Sequence, residues 1–204
     1  MNSNRRTQAE RSAATRDALI TAGRELFGAR GYADVGTEEV VRAAGVSRGA
    51  LYHQFADKAE LFAAVLRSVE ETTNARVGAA VAAAGPDDPI AAMRLATAVF
   101  LDVCTEPGTA RIMLIDAPAV LGAQGESQAS ESDLGLVVQL LSRGVELGQI
   151  APQPVMPLAR ILVGALREAA VFLARASDPA AAREQVGAIL DRVIGSVAAP
   201  GAQA

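Results

Sequence analysis

The sequence predicts an all-α protein of about nine helices, with a small N-terminal three-helix domain and a larger C-terminal helical bundle. Three observations carry this. Half of the 204 residues are hydrophobic but only 3% are aromatic, and an Ala- and Leu-rich composition favours helix over sheet. Apolar residues recur at three- and four-residue spacing along most of the chain, and no alternating run reads as a strand. Helix starts and stops are marked by Ser, Thr and Asp caps, by Asp-Pro pairs and by Gly.

The chain opens on a basic stretch, with Arg5, Arg6, Arg11 and Arg16 against Glu10 alone before residue 17. A flexible arm is expected over 1–13. Leu19, Ala22, Leu26 and Phe27 share one face of a helix from about Thr15 to Ala29, which Gly31 ends. Thr37 stands at an N-cap position, with Glu38 and Glu39 favoured in the first turn by the helix dipole. That helix runs to Ala44. Gly45-Val46 is a turn, and Ser47 caps a short helix reaching Phe55. Asp57 caps the next helix, with Glu60 three residues on. Its stripe is Phe62, Val65, Leu66 and Val69, and it extends to about Ala84.

Gly85-Pro86 breaks the pattern, and Asp88-Pro89 reopens it with proline in the first turn. Helices are expected over 89–105, 108–117 and 134–148. The stretch 122–133, rich in Gly, Ser and Gln, reads as a mobile loop. Pro152, Pro154 and Pro157 mark a connection before two long helices, 158–176 and 179–198, and a disordered tail over 199–204. The expected domains are therefore the arm at 1–13, an N-terminal helical domain at 14–60 and a C-terminal domain at 61–198.

Composition narrows the chemistry. One cysteine, Cys104, and one histidine, His53, leave no material for a disulfide framework, a Cys- or His-rich metal site or a Ser-His-Asp triad. No cofactor, metal or catalytic residue is expected. No apolar run approaches about 18 residues, so no membrane span is expected. The polar N-terminus lacks a signal-like apolar region, so a cytoplasmic location is expected. The net charge of −4 is divided unevenly. Residues 1–60 hold nine Lys+Arg and eight Asp+Glu, whereas residues 61–204 hold ten and fifteen.

Two short helices joined through Ala44-Gly45-Val46 make a helix-turn-helix, the second presenting Arg48, Gly49, Tyr52 and His53. Gly45 permits the positive φ of a tight turn. A short helix with small side chains can enter a DNA major groove.

Residues 15–61 resemble the DNA-binding domain of the TetR family of transcriptional regulators. The resemblance rests on Ala22, Leu26-Phe27, Gly31-Tyr32, Thr37, Val40, Ala43 to Ser47, Gly49, Leu51-Tyr52, Phe55, Lys58 and Leu61. Residues 111–122, RIMLIDAPAVLG, resemble a C-terminal domain found in that family. The resemblance implies a homodimer reading a near-palindromic double-stranded DNA operator. It also implies a C-terminal domain that forms the dimer interface and a pocket for a small effector. Ligand binding there spreads the two reading domains and releases DNA. The alternative is a helical small-molecule-binding or protein-adaptor module without operator binding.

The DNA-binding residues expected are Thr37, Ser47, Arg48, Gly49, Ala50, Tyr52, His53 and Lys58. Arg48 suits a guanine edge or a phosphate. Ala50 suits a thymine methyl, and Gly49 allows close backbone approach. Tyr52 and His53 match family positions that touch the DNA backbone. Lys58, the one lysine among eighteen arginines, lies at a helix start where free N–H groups also favour phosphate. Phe100, Cys104, Met113, Leu140 and Phe172 are expected to line the pocket of an apolar or amphipathic effector, with core packing as the alternative. Arg94, Asp116, Arg143, Arg167 and Glu168 are its candidate polar anchors. Residues 158–174 are apolar on several sides, and Val186, Ile189, Leu190, Val193, Ile194 and Val197 form a stripe. These helices are expected to build an intersubunit four-helix bundle through Leu162, Leu166, Ile189 and Val193.

Overall fold

The computed structural model describes residues 7–85 and 87–199, with the backbone alone over 123–133. The helices are α1 (Gln8–Arg30), α2 (Thr37–Ala44), α3 (Arg48–Gln54), α4 (Lys58–Ala84), α5 (Pro89–Cys104), α6 (Pro107–Ala110), a π-helical stretch (Arg111–Asp116), α7 (Ala117–Leu121), α8 (Ala123–Glu146), α9 (Val155–Arg175) and α10 (Pro179–Gly195). Because α6, the π-helical stretch and α7 follow one another without a break, they form one rod, and the described residues make nine rods. The all-α expectation holds. Among the described residues, extended pairing is confined to one antiparallel bridge between Ile150 and Ala198.

Several boundaries differ from the sequence reading, each for a local reason. Helix α1 begins at Gln8, not near Thr15, so the last residues of the expected flexible arm are helical. The Thr7 hydroxyl accepts from the Glu10 N–H at 3.2 Å, and the Glu10 carboxylate accepts from the Thr7 N–H at 2.6 Å. This capping box satisfies two end donors without any apolar stripe, so periodicity does not reveal it. Residues 1–6 of the expected arm lie outside the described residues. In α2 the N-cap is Gly36, whose N–H donates to the Glu39 carboxylate at 3.2 Å, and Thr37 is the first helical residue.

The expected loop at 122–133 is mostly helix, since α8 starts at Ala123. Its Ala, Gln and Glu residues are good helix formers. Their lack of an apolar stripe hid the helix from a reading based on periodicity. At the other end of the chain, Ala199 belongs to the fold rather than to a tail, its N–H donating to the Gln149 carbonyl at 2.7 Å. Residues 200–204 lie outside the described residues. Helix α9 starts at Val155 and takes Pro157 into its first turn, where a missing N–H costs no helical bond.

The core of the N-terminal head is built from Leu19 and Phe27 of α1, Val40 of α2, Leu51 of α3, Phe55 after it, and Leu61, Phe62 and Val65 of α4. Phe27, Tyr32 and Phe62 meet with ring centroids 5.1–5.8 Å apart. The same core includes Ile112 and Ala117 from the rod over 107–121. Head and C-terminal body are thus joined twice, by that rod and by the 27-residue α4, which is about 40 Å long. In the body, α5, α8, α9 and α10 pack around Met93, Leu141, Ile150, Ala159 and Ile194, with Leu101, Val186 and Leu190 alongside.

Candidate nucleic-acid interface

The turn before α3 is fixed by backbone chemistry. Gly45 sits at φ 66° and ψ 28°, the left-handed conformation that a Cβ disfavours. Its N–H and that of Val46 return to the last carbonyls of α2. Ser47 then caps α3, its side-chain oxygen accepting from the Ala50 N–H at 3.2 Å. Leu51 and Phe55 are buried and hold the inner face of α3. Arg16 of α1 lies 4.4 Å from the Phe55 ring centroid and donates to the Gln54 carbonyl at 3.1 Å. The Gln54 amide donates to the Ser12 hydroxyl at 2.7 Å. Arg16, the last cation of the basic N-terminal stretch, therefore fixes the end of α3 to α1. Neither it nor Gln54 carries a spacing signal, because the contact spans 38 residues of sequence.

With its inner face anchored, α3 turns Arg48, Gly49, Tyr52 and His53 outward. Arg48 is 67% exposed, pairs with Glu38 at 3.4 Å and stands 5.7 Å from the Tyr52 ring centroid. Hydrogen bonding to Thr37, then to Arg48, holds the Tyr52 phenol below its ordinary pKa. Thr37, Arg48 and Tyr52 thus form one polar group across the two helices of the motif. A Cβ at Gly49 would meet only the Ser47 hydroxyl, at 3.9 Å, so the fold itself has room for a side chain there. Ala50 is half-buried between the capping Ser47 and the core.

Lys58 stands apart from this group. It is half-buried at the first position of α4, with Nζ 4.1 Å from the Tyr32 ring centroid. Burial pulls its pKa down, opposed by the charges of Asp116 and then Asp34. The eight residues expected at the interface therefore divide. Arg48, Tyr52 and His53 present polar groups outward, Thr37 supports Tyr52, and Ser47 caps α3. Gly49 and Ala50 supply a small surface, and Lys58 sits at the edge beside Tyr32.

The residues expected at a pocket are spread over several places. A cavity of about 80 Å³ lies between α4, α5, α8, α9 and α10. Of the expected lining, Phe100 and Leu140 border it. Cys104 is buried with Ala170, Leu173 and Ala182, Met113 packs against the head core, and Phe172 is 55% exposed. Leu162, Leu166 and Val193, expected at a dimer interface, border the cavity, together with Asn74 and Thr97. Only Ile189 of that set, and Val193 in part, are exposed. None of the five expected polar anchors lines the cavity. Arg94 pairs with Asp191, Arg143 with Glu146 and Asp87, and Glu168 is exposed. Arg167 is half-buried outside the lining, and Asp116 accepts from the Tyr32 N–H.

A three-helix head presenting a short, capped, polar helix, carried on a helical body with an internal cavity, defines a helix-turn-helix regulator. The family model for bacterial regulatory proteins of the tetR family matches residues 19–65, and that for the tetracyclin repressor-like C-terminal domain matches residues 90–197. The crystal structure of a TetR-family transcriptional regulator from Pectobacterium atrosepticum superposes with a TM-score of 0.85. It is 31% identical, covering 96% of this chain and 99% of that one. The transcriptional regulator CymR of Pseudomonas putida is 39% identical over 104 residues, 50% of this chain and 51% of CymR. The transcriptional regulator TtgR, also of Pseudomonas putida, is 37% identical over 109 residues, 53% and 51% of the two chains. The chain spans about half the length of these curated relatives. It belongs to the TetR family of helix-turn-helix transcriptional regulators.

Proposed function

We propose that this chain is a homodimeric, cytoplasmic repressor that binds a near-palindromic DNA operator and is released by a small apolar or amphipathic ligand. The observation that carries the reading is the outward face of α3. Arg48, Tyr52 and His53 project from a helix whose opposite side is locked into a core by Leu51 and Phe55. Arg48 reads a base edge, and Tyr52, His53 and Lys58 hold phosphates.

Two features support the rest of the reading. Helix α9 carries an exposed stripe of Ile161, Gly164, Glu168 and Phe172, and α10 carries Ile189 and Val193 beside it. The apolar members of this face, Ile161, Phe172, Ile189 and Val193, are the contact for a second copy. The cavity wall is almost wholly apolar, with Asn74 and Thr97 as polar groups, which suits a ligand with a hydrocarbon body and one hydrogen-bonding end. At about 80 Å³ the cavity holds only a few water-sized groups. A larger ligand must push α4 away from the body, and α4 carries the head. That supplies the preference for a non-binding conformer without which a ligand shifts nothing.

The test is selection of DNA sites from a random pool by the purified protein, followed by titration of the selected site. Enrichment of an inverted repeat is the expected result. Failure to enrich any sequence rejects the reading.

A further inference from the structure

The rod over 107–121 contains a π-helical stretch, Arg111–Asp116, in which the Ala117 N–H bonds to the Ile112 carbonyl. Pro118 explains its position. A proline has no N–H to give the carbonyl four residues back, that of Leu114, and its ring would strike that oxygen. Widening the preceding turn relieves both problems. The i→i+5 bonding also changes which residues share a face. Residues five apart are about 140° apart around an α-helix, but the wider π-helical turn brings them nearer to one face. Arg111 and Asp116 consequently reach the same place, the end of α1. Arg111 donates to the Ala29 carbonyl at 3.4 Å, and the Asp116 carboxylate accepts from the Tyr32 N–H at 2.8 Å. Gly31 lies beneath them at φ 90°, and a Cβ there would fall 3.3 Å from Arg111 Nε and 3.5 Å from Asp116 Oδ2.

Tyr32 is the residue whose ring carries the Lys58 ammonium, 4.1 Å from its centroid. On the other side of the rod, Leu114 packs with Phe100 and Cys104, and Phe100 borders the internal cavity. We propose that Asp116 is a positioning residue for DNA binding. By holding the Tyr32 backbone it fixes the ring that orients Lys58, and so sets operator affinity without touching DNA. The inference rests on the DNA-binding reading above and adds a residue outside the helix-turn-helix to it.

Hydrogen bonding and charge act in opposite directions here, which makes the test sharp. Removing a negative charge by itself tightens binding to a polyanion. Asp116→Asn removes the charge but keeps an acceptor for the Tyr32 N–H, so it retains wild-type operator affinity or binds more tightly. Asp116→Ala removes both, and it weakens operator binding on the order of tenfold despite its more favourable charge. Its salt dependence flattens by about one phosphate contact, like that of Lys58→Ala. In a double-mutant cycle, Asp116→Ala costs little once Lys58 is already Ala.

Fluorescence anisotropy of full-length protein on its selected operator, across salt, reads all of these. Equal affinity for Asp116→Ala and wild type, a parallel gain in both Asp116 variants, or additive effects with Lys58→Ala would each overturn the proposal. Should Asp116→Ala be too unstable to assay, Asp116→Glu keeps the charge and displaces the acceptor. It is expected to weaken binding, and wild-type affinity in it overturns the proposal. Wild-type protein that selects no site rejects the DNA-binding reading itself, whereas wild-type binding with an insensitive Asp116 rejects only this inference.

Discussion

Arg48 has two protein partners, Glu38 and the Tyr52 ring. Its pair with Glu38 is exposed on both sides, 67% and 73%, so water already screens it and the proposed turn of the guanidinium to a base would lose little. Arg48→Ala is therefore expected to cost about 1–3 kcal/mol at the operator and to relax preference at one base position. Titration against operators substituted one base pair at a time reads both effects. An unchanged preference profile would place Arg48 on a phosphate instead. Arg30 and Glu39 fasten the end of α1 to the start of α2, and Arg30 first, then the Gly36 N–H, holds the Glu39 carboxyl below its ordinary value of 4.5. A carboxylate lowered in this way adds stability that is complete above its unfolded value and is lost as pH falls through the folded one. The thermal midpoint of the wild type should accordingly fall more steeply than that of Glu39→Gln between about pH 5 and about pH 3. Parallel curves would show that the pair contributes nothing. At this scale the sequence was informative where a residue type has one job. Ser47, Asp57 and Asp88 cap as their types and spacings suggest. The contact of Lys58 with the Tyr32 ring and the role of Asp116 were not legible, because both depend on Tyr32, and Asp116 lies 84 residues away from it.

Among the elements, α1 and α6 cross closely in the joint between head and body. Gly28 and Gly108 face each other, and a Cβ on Gly28 would stand 3.1 Å from the Gly108 Cα. The obstacle is backbone, which cannot swing aside like a side-chain tip, so the helices must separate. Gly28→Val should destabilise the protein by about 1–3 kcal/mol through overpacking, and should weaken operator binding because α1 carries Arg16 and the Tyr32 turn. Chemical denaturation together with operator titration tests this. A variant of wild-type stability would mean that the crossing has slack. Helices with an apolar stripe and a marked cap, such as α4, α5 and α10, were readable in the sequence. The first turns of α1 and α8 were not, since propensity and a reciprocal cap hold them without a stripe. The π-helical stretch was hidden for a different reason. Pro118 announces a break in the ladder, but whether the chain kinks, stops or widens is settled by Ile112 and Ala117 packing into the head core.

For the whole molecule, α9 and α10 both border the internal cavity and carry exposed apolar residues. Sequence periodicity found both sets of apolar residues but could not separate them, since an apolar face turned to a cavity and one turned to a second subunit have the same composition. The structure separates Leu162 and Leu166, at the cavity, from Ile161, Phe172 and Ile189, at the surface. Ile189→Asp should therefore yield monomers of normal secondary structure with weak operator binding, as each head alone offers few contacts. Sedimentation showing an intact dimer would move the interface elsewhere.

The cavity calls for the complementary change. Ala96 borders it on α5, with Phe100 one turn further along the same helix. Ala96→Leu adds three carbons into a space of about 80 Å³, enough to take much of that addition without the outward push that a larger ligand exerts. Filling an apolar void removes surface that otherwise lacks packing partners. The expected variant is at least as thermally stable as wild type and holds its operator with unchanged affinity. It should no longer respond to compounds that release the wild type. A tenfold weakening of operator binding by such a compound corresponds to about 1.4 kcal/mol of coupling, and in Ala96→Leu that coupling should fall to near zero because the ligand has lost its place. A thermal-shift screen of apolar compounds on the wild type, followed by operator titration of each hit with both proteins, decides the matter. If a hit releases both proteins from DNA alike, the effector acts elsewhere. If Ala96→Leu by itself releases the operator, the body has no slack, and any occupation of the cavity, even by one of its own side chains, is enough to move α4.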